Sequence, residues 1–215
     1  MLFWYLLSSG RSSLYLSSRT DWVVPVGAIL LTVAALGRLV SARVTHREIL
    51  DRRAAWGYGV IVLPVVAVLV LPPAALGSYA ATRRSSFVGP SVTTSTDDIA
   101  RGDLTLAEIA GALQSRSGMR ALGRRAGSDV TMVGFVTREE GTPANEFVLT
   151  RFLVSCCVAD ALSVQVRVVG APPGEFKTDD WVRVTGAVYP LSNEAVVDAS
   201  EVEGVSRPRE PYLTP

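Results

Sequence analysis

The chain has 215 residues, of which 48% are hydrophobic and only 19% charged, and its mean hydropathy is +0.30. These values are typical of a chain that lies partly in lipid, and they argue against a soluble cytosolic enzyme. Nine basic residues face three acidic ones in residues 1–90 (net +6), but twelve face seventeen in residues 91–215 (net −5). The polar half is therefore acidic, and we expect no nucleic-acid partner. A single histidine and two adjacent cysteines disfavour His-based catalysis and a disulfide scaffold, so we expect no enzymatic activity.

The N-terminal part contains two long stretches without charge. The first runs from Trp22 to Gly37 and covers about 24 Å as a helix, and Arg38 can extend it by reaching the lipid interface with its guanidinium. The second runs from Ala54 to Thr82, and two consecutive prolines stop its apolar part. Neither stretch has a polar face, which favours membrane spans over buried helices of a soluble domain. We predict transmembrane helices at about 22–40 and 54–71.

The first residues, Met1–Leu7, are apolar but too few to span a bilayer. They match the end of a further membrane helix whose beginning is absent from this chain, and an interfacial anchor is the alternative. A signal peptide would need a basic start and a small-residue cleavage site, and neither is clear in this sequence. The number of membrane helices is therefore two, or three with a truncated first one.

The connection between the two predicted spans is rich in arginine. Its basic side chains outnumber its two acidic ones, Glu48 and Asp51, and positive loops stay in the cytoplasm. The sequence thus predicts a multi-pass protein of the plasma membrane, with His46 solvated in the cytoplasmic loop and everything after Leu71 outside. The basic residues are Arg38, Arg43, Arg47, Arg52 and Arg53.

Beyond the membrane region (1–80), residues 81–103 read as a linker because Ser, Thr and Gly dominate without periodicity. A short helical segment follows at 104–127. Thr105 and Glu108 have the spacing of a capping box, and apolar residues recur at helical spacing after them, which predicts a helix over about 106–114. Its apolar stripe is expected to pack on the domain that follows.

From Asp129 onward the hydrophobic period is two, as in half-buried strands. Five short strands in about 75 residues predict an all-β domain at 128–205, an OB-like five-stranded barrel, followed by a tail at 206–215. Gly134 and Gly186 lie inside predicted strands, where we expect them to allow sharp coiling of the barrel. The strands are predicted at 130–137, Glu146–Ser155, Ser163–Val169, Trp181–Tyr189 and Ala195–Val202.

The neighbouring cysteines Cys156 and Cys157 are the candidate chemical site. In a regular strand they would point to opposite faces, so both thiols can meet one ligand only if the strand ends or bulges there, with Asp160 joining them across a turn. A disulfide between neighbours is strained, because adjacent Cα atoms lie ~3.8 Å apart against the usual ~4.4–6.8 Å. Three interpretations stay open: inert buried cysteines, ligands of a Zn or Cu ion with Asp160 or a partner protein, and a redox pair.

The order of these features resembles a family of bacterial membrane proteins that are described as accessory subunits of two-component permeases. The resemblance covers about Gly10 to Val202, and its first hydrophobic segment is shortened here. It implies short membrane helices, an external β domain of unknown function, a multi-pass permease as partner and, in some relatives, a link to metal handling. It is carried by Leu71-Pro72-Pro73, Val133–Val136, Arg151-Phe152 with Cys156-Cys157 and Ala159–Ala161, and Val182–Gly186.

The hypothesis from the sequence is therefore a lipid-anchored accessory subunit of a transport system. Its extracytoplasmic barrel would bind a metal or substrate through Cys156, Cys157 and Asp160, and no other cofactor is expected. Two alternatives are an extracytoplasmic thiol-redox protein and a ligand-binding OB-like module without metal. The last would use aromatic side chains, whose default role inside strands is core packing.

Overall fold

The first part of the chain is helical in the computed structural model, which describes residues 2–41, 52–70, 75–83, 99, 104–191 and 194–214. The helices are α1 (Leu2–Ser9), α2 (Val23–Ser41), α3 (Arg52–Val70) and α4 (Ser78–Arg83). Between α1 and α2, residues 10–22 form an irregular segment with one 3-10 turn, Arg11–Leu14. The arginine-rich connection, including His46, and the Leu71-Pro72-Pro73 motif lie outside the described residues.

Helix α2 overlaps the first predicted span. Within the described residues it is the one helix that is long and apolar enough to cross a membrane, and only 11% of its apolar window is buried. Large apolar side chains such as Leu30, Leu39 and Val40 are exposed along it, whereas the core helix of a soluble protein buries such side chains. The second predicted span coincides with α3 as a helix, and its crossing of the membrane stays a prediction.

The short helix α1 packs along α2. The indole Nε1 of Trp4 donates to Thr32 Oγ1 over 3.1 Å, and the small residues Val24 and Ala28 are buried on this side of α2. The apolar start of the chain therefore has a partner on the neighbouring helix. Both interpretations of that segment, truncated span and interfacial anchor, remain predictions.

Two short helices precede the β domain: α5 (Leu106–Leu113) and α6 (Arg116–Gly123). The predicted capping box is confirmed, since Thr105 Oγ1 accepts from the amide of Glu108 at 3.3 Å and the Glu108 carboxylate accepts from the amide of Thr105 at 2.7 Å. As expected, α5 packs on the β domain, where its apolar stripe contacts the third and fifth strands.

The β domain is a closed five-stranded barrel, which confirms the predicted barrel. Strand β1 pairs with β2 and β4, β2 with β3, and β4 with β5 in antiparallel fashion, and a parallel pairing of β3 with β5 closes the ring. The strands follow the sequence period closely and begin or end within two residues of the prediction. They are β1 (Asp129–Thr137), β2 (Phe147–Leu153), β3 (Leu162–Val169), β4 (Trp181–Leu191) and β5 (Glu194–Gly204).

The two strand glycines are architectural, as expected. A Cβ at Gly186 would lie 2.1 Å from the carbonyl oxygen of Asp198, at the point where the β4–β5 register shifts. A Cβ at Gly134 would lie 2.7 Å from the carbonyl oxygen of Thr150. Neighbouring strands of the barrel therefore approach these positions too closely for any side chain.

The domain has two hydrophobic cores. The larger one fills the barrel interior and is closed at one end by Leu106 and Ile109 of α5. The smaller one lies on the outer face, where α4 contacts β1 and β2 and the C-terminal residues cover the same strands. Aromatic side chains thus pack mainly in cores, while Tyr189 is exposed. The outer core consists of Ala81, Phe135, Phe152, Val154, Ala161 and Tyr212.

Two predicted boundaries need correction. Residues 206–215 are not only a tail, because Tyr212–Leu213 forms a further strand, β6, parallel to β2. The linker predicted for 81–103 lies mostly outside the described residues, but residues 81–83 belong to α4, and Ile99 is buried in the main core. Neither segment carries a periodic apolar pattern, yet Ile99 packs in the main core and Ala81 and Tyr212 pack in the outer core.

Candidate thiol site

The candidate site is a loop of residues 154–161, which we call the thiol loop. Strand β2 ends at Leu153, and a 3-10 turn, Val158–Asp160, follows the cysteines. The carboxylate of Asp160 turns back and accepts the backbone amides of Ser155 (3.0 Å), Cys156 (2.7 Å) and Cys157 (3.4 Å). This carboxylate therefore does for the turn what a cap does for a helix: it satisfies amides that the ended strand leaves without partners.

The bend brings the two thiols together. Their sulfur atoms lie 3.7 Å apart, with Cys156 exposed and Cys157 half-buried. The sequence predicted that both thiols could meet one ligand only if the strand ends or bulges at the cysteines. Strand β2 ends at Leu153, before the pair, so the two side chains are free of the alternation of a regular strand. All three predicted site residues, Cys156, Cys157 and Asp160, are close neighbours in the structure.

The electrostatics of the loop keep Cys156 protonated near neutral pH. A hydrogen bond to the Asp160 carboxylate is the main cause that raises the pKa of Cys156 to about 11, and the hydrogen bond with Cys157 adds to it. For Asp160, partial burial raises the pKa, but the hydrogen bonds from Cys156 and from the three amides outweigh burial and lower it. The site thus contains an ionised carboxylate beside a thiol that loses its proton only at high pH.

The donor atoms available to a metal are the two sulfurs. Two thiolates bound at ~2.3 Å to one tetrahedral zinc ion lie about 3.8 Å apart, so the observed 3.7 Å separation fits one edge of such a site. Within the described residues, no group of three or more His, Cys, Asp or Glu side chains is arranged to hold a metal ion. The Asp160 carboxylate already accepts from three backbone amides and from the Cys156 thiol. A metal here would need its remaining ligands from elsewhere.

Arg151 and Phe152, which precede the thiol loop, organise its surroundings. Arg151 donates to the carbonyl oxygens of Pro211 (3.1 Å) and Glu210 (2.7 Å), and Phe152 lies in the outer core against Phe135. Burial lowers the pKa of Arg151, and the charge of Glu210 partly offsets this. The pair therefore fixes the C-terminal residues on the barrel.

The irregular segment before α2, which we call the strap (residues 11–22), forms the other wall of the site. Leu16 and Cys157 form an antiparallel bridge, and the amide of Val158 donates to Tyr15 O over 2.9 Å. The carbonyl oxygen of Cys156 accepts from the amide of Ser17 (3.2 Å) and from Thr20 Oγ1 (2.6 Å). Sequence reasoning missed the strap, because a few isolated hydrogen bonds to residues about 140 positions away leave no periodic signal.

Comparison with known proteins gives a family for the β domain. Residues 119–215 match the family described as the DUF1980 C-terminal domain, whose function is uncharacterised. The match covers somewhat less than half of the chain and includes the whole barrel, the thiol loop and β6. No curated protein matches the chain. The uncharacterised family supports the expected domain of unknown function and leaves the permease assignment a prediction.

Proposed function

We propose that the protein is a membrane-anchored accessory subunit of a transport system, whose barrel holds a soft metal ion outside the cytoplasm. The observation that carries the proposal is the pair of sulfurs 3.7 Å apart on an accessible loop that Asp160 holds in place. Soft thiolate ligands favour Cu(I) and Zn(II) over hard cations such as Mg²⁺. Two cysteines leave the coordination of the ion incomplete, so it would be held loosely enough to exchange. We therefore assign it the role of cargo or signal of the transport system.

Helix α2 supports the anchoring. Its 19 residues cover about 28 Å at ~1.5 Å per residue, close to the ~30 Å hydrocarbon thickness. Lipid is the environment in which its exposed apolar side chains are stable, and Trp22 at its beginning suits the interface. A cleaved signal sequence is the competing explanation of one apolar helix near the N-terminus, but the strap that precedes α2 packs on the barrel.

The contacts of the flanking segments support an external barrel. The strap before α2 contacts the thiol loop, and residues 76–78 after α3 contact Tyr212 and Asp179. The barrel therefore adjoins the start of α2 and the end of α3, while the arginine-rich connection joins the opposite ends of these helices. If both helices cross the bilayer, the positive-inside rule puts that connection in the cytoplasm and the barrel outside.

The chain offers a simple topology test, because Lys177 is its single lysine and lies exposed in the loop between β3 and β4. A membrane-impermeant amine reagent should label Lys177 on spheroplasts, and Lys177→Arg is the control for reaction at the N-terminal amine. Labelling that requires permeabilised membranes would contradict the external position of the barrel.

The two alternatives receive less support. The raised pKa of Cys156, about 11, slows the attack of its thiolate on a disulfide, whereas a metal ion can displace the thiol proton at some cost in affinity. A barrel that binds ligands by stacking needs a group of exposed rings, whereas Phe135, Phe147, Phe152 and Phe176 are buried, Trp181 is half-buried and Tyr189 is exposed by itself among the rings of the described strands. The strand pairing, in which β3 and β5 run parallel and β1 closes on β4, is OB-like, but this fold serves too many functions to identify one.

The metal part is tested by titrating the reduced full-length protein in detergent with Zn²⁺. We expect one ion per chain, with its affinity lost in the double variant Cys156→Ser/Cys157→Ser. Asp160→Asn should weaken binding less than the double cysteine variant, because in this proposal the Asp160 carboxylate holds the loop through backbone amides and the two sulfurs bind the ion. Equal, negligible binding by the native and the double variant would overturn the metal assignment.

The partner is tested by copurification from native membranes under mild detergent. A multi-pass membrane protein should copurify with the full chain at constant stoichiometry. Its consistent absence would remove the accessory-subunit assignment while leaving the metal site intact.

A further inference from the structure

The thiol loop and the membrane helix α2 are joined through very few atoms, and one residue contacts both. The hydroxyl of Thr20 donates to the carbonyl oxygen of Cys156 over 2.6 Å, and the carbonyl oxygen of Thr20 accepts from the amide of Val23, the first residue of α2, over 3.0 Å. The path from the thiol pair to the start of the helix is thus a single residue long.

The peptide groups of the cysteines are fixed from two sides. Asp160 holds the amides of Cys156 and Cys157, and the strap holds the carbonyl oxygen of Cys156 through Ser17 and Thr20. These bonds set the backbone at the one place where two adjacent side chains must point the same way. A free extended segment would separate the sulfurs again, because neighbouring side chains then alternate.

The strap itself is seated on the domain by further contacts. Tyr212 donates its hydroxyl to Leu14 O over 3.0 Å, Ser13 Oγ donates to Arg209 O over 3.1 Å, and Ser17 is only 2% exposed. In the docked position the sulfurs already have the spacing of a metal-bound pair. Metal binding should therefore stabilise the docked strap, and strap docking should raise metal affinity by the same factor, because coupling between two equilibria is reciprocal.

We propose that Thr20 and the strap position the thiol pair and couple its metal occupancy to helix α2. The inference rests on the proposed metal site and adds its regulation: a filled site would hold the strap against the barrel and fix the start of α2, and an empty site would release both more readily. A transport partner packed on α2 would then sense whether the external site is loaded.

The test uses the reduced full-length protein in detergent with Cd²⁺, whose thiolate complexes absorb in the ultraviolet. Thr20→Val removes the hydroxyl with little change in shape and should weaken Cd²⁺ binding by up to about fivefold, the full worth of one hydrogen bond that exists only while the strap is docked. Thr20→Ser keeps the hydroxyl and should restore the native affinity. Thr32→Val, which removes a hydroxyl inside α2 that donates to Ala28 O, is the matched control and should bind like the native protein.

A second readout measures the strap directly. Arg19 is exposed in the strap, and trypsin can cleave after it only when the strap leaves the barrel. Cd²⁺ should slow this cleavage about fivefold or more in the native protein, less in Thr20→Val, and not at all in the Cys156→Ser/Cys157→Ser variant. If Thr20 only stabilised the strap, Thr20→Val would be cleaved faster than the native protein, but Cd²⁺ would not change the cleavage rate of either protein.

The outcomes separate the two claims. If the native protein binds Cd²⁺ through its cysteines, but Thr20→Val changes the affinity less than twofold and Cd²⁺ does not protect Arg19, the coupling is wrong and the metal site stands. If the native protein and the double cysteine variant bind Cd²⁺ equally, the metal site is wrong and the coupling falls with it.

Discussion

The replacement Asp160→Asn tests the electrostatic account of the thiol loop. The amide side chain of asparagine carries no charge and keeps one oxygen, which can accept from the amides of Cys156 and Cys157 but not also from that of Ser155. The main cause of the high pKa of Cys156, its hydrogen bond to a carboxylate, is thereby removed. We expect the pKa of Cys156 to fall toward its ordinary value of 9.0 and the thiol to react faster at mildly alkaline pH.

The size of the effect follows from the pKa. A shift from 9.0 to about 11 lowers the thiolate fraction at pH 8 about a hundredfold. A more basic thiolate is intrinsically more nucleophilic, with a Brønsted coefficient of about 0.4–0.5, which recovers a factor of roughly ten. Native Cys156 should thus be alkylated about tenfold more slowly than an ordinary thiol. In Asp160→Asn the rate should be about three- to tenfold higher than in the native protein, because the hydrogen bond with Cys157 still raises the pKa of Cys156.

The assay is alkylation of the metal-free full-length protein with iodoacetamide, followed by mass spectrometry of the tryptic peptide 152–167, which contains both cysteines. The native rate at Cys156 should keep rising up to pH of about 11, and the variant rate should level off at lower pH. Asp179→Asn is the control, because that carboxylate accepts from Ser78 at the start of α4 instead of from the thiol loop. An unchanged rate profile in a folded Asp160→Asn protein would refute the reasoning.

Three further predictions concern stability and are measured by urea-dependent pulse proteolysis of the full chain in detergent. Gly186→Ala should lower the free energy of unfolding by more than about 3 kcal/mol, because its Cβ meets backbone, whereas Gly204→Ala, with its nearest neighbour at 3.6 Å, should cost less than about 1 kcal/mol. Leu149→Ala in the barrel core should lower the free energy of unfolding by about 2–5 kcal/mol, and Val148→Ala, at the half-buried neighbouring position, should lower it clearly less. Similar losses in the two variants would contradict the assigned strand faces. Arg151→Lys should cost about 1–3 kcal/mol, since a lysine cannot hold both carbonyl oxygens in the same geometry, and an unchanged midpoint would refute its role in fixing the C-terminal residues.

The barrel was predictable because its strands carry their own signal. Alternation from Val130 to Val136 sets the inner face of β1, and turn residues such as Gly141 and Gly170 separate the strands. The capping box at Thr105 is equally local, since its two members lie three residues apart. Features that a short window contains could be predicted to within about two residues.

The strap, β6 and the outer core could not be predicted in the same way. Each depends on pairing between distant residues, such as Leu16 with Cys157 or Phe152 with Tyr212, and each uses only one or two residues per element. The thiol site stands between these cases. Its three residues are close in sequence, so their proximity was expected, but the direction of the Asp160 carboxylate toward backbone amides depends on where β2 ends.

The most direct test of the central claim uses the only two cysteines of the chain, Cys156 and Cys157, as reporters of both location and metal binding. Spheroplasts that express the full chain are treated with an impermeant reductant and then with an impermeant maleimide, with or without prior Zn²⁺. An external barrel with a paired thiol site predicts labelling of intact spheroplasts that Zn²⁺ prevents. Labelling that needs permeabilised membranes, or that Zn²⁺ leaves unchanged, would contradict it.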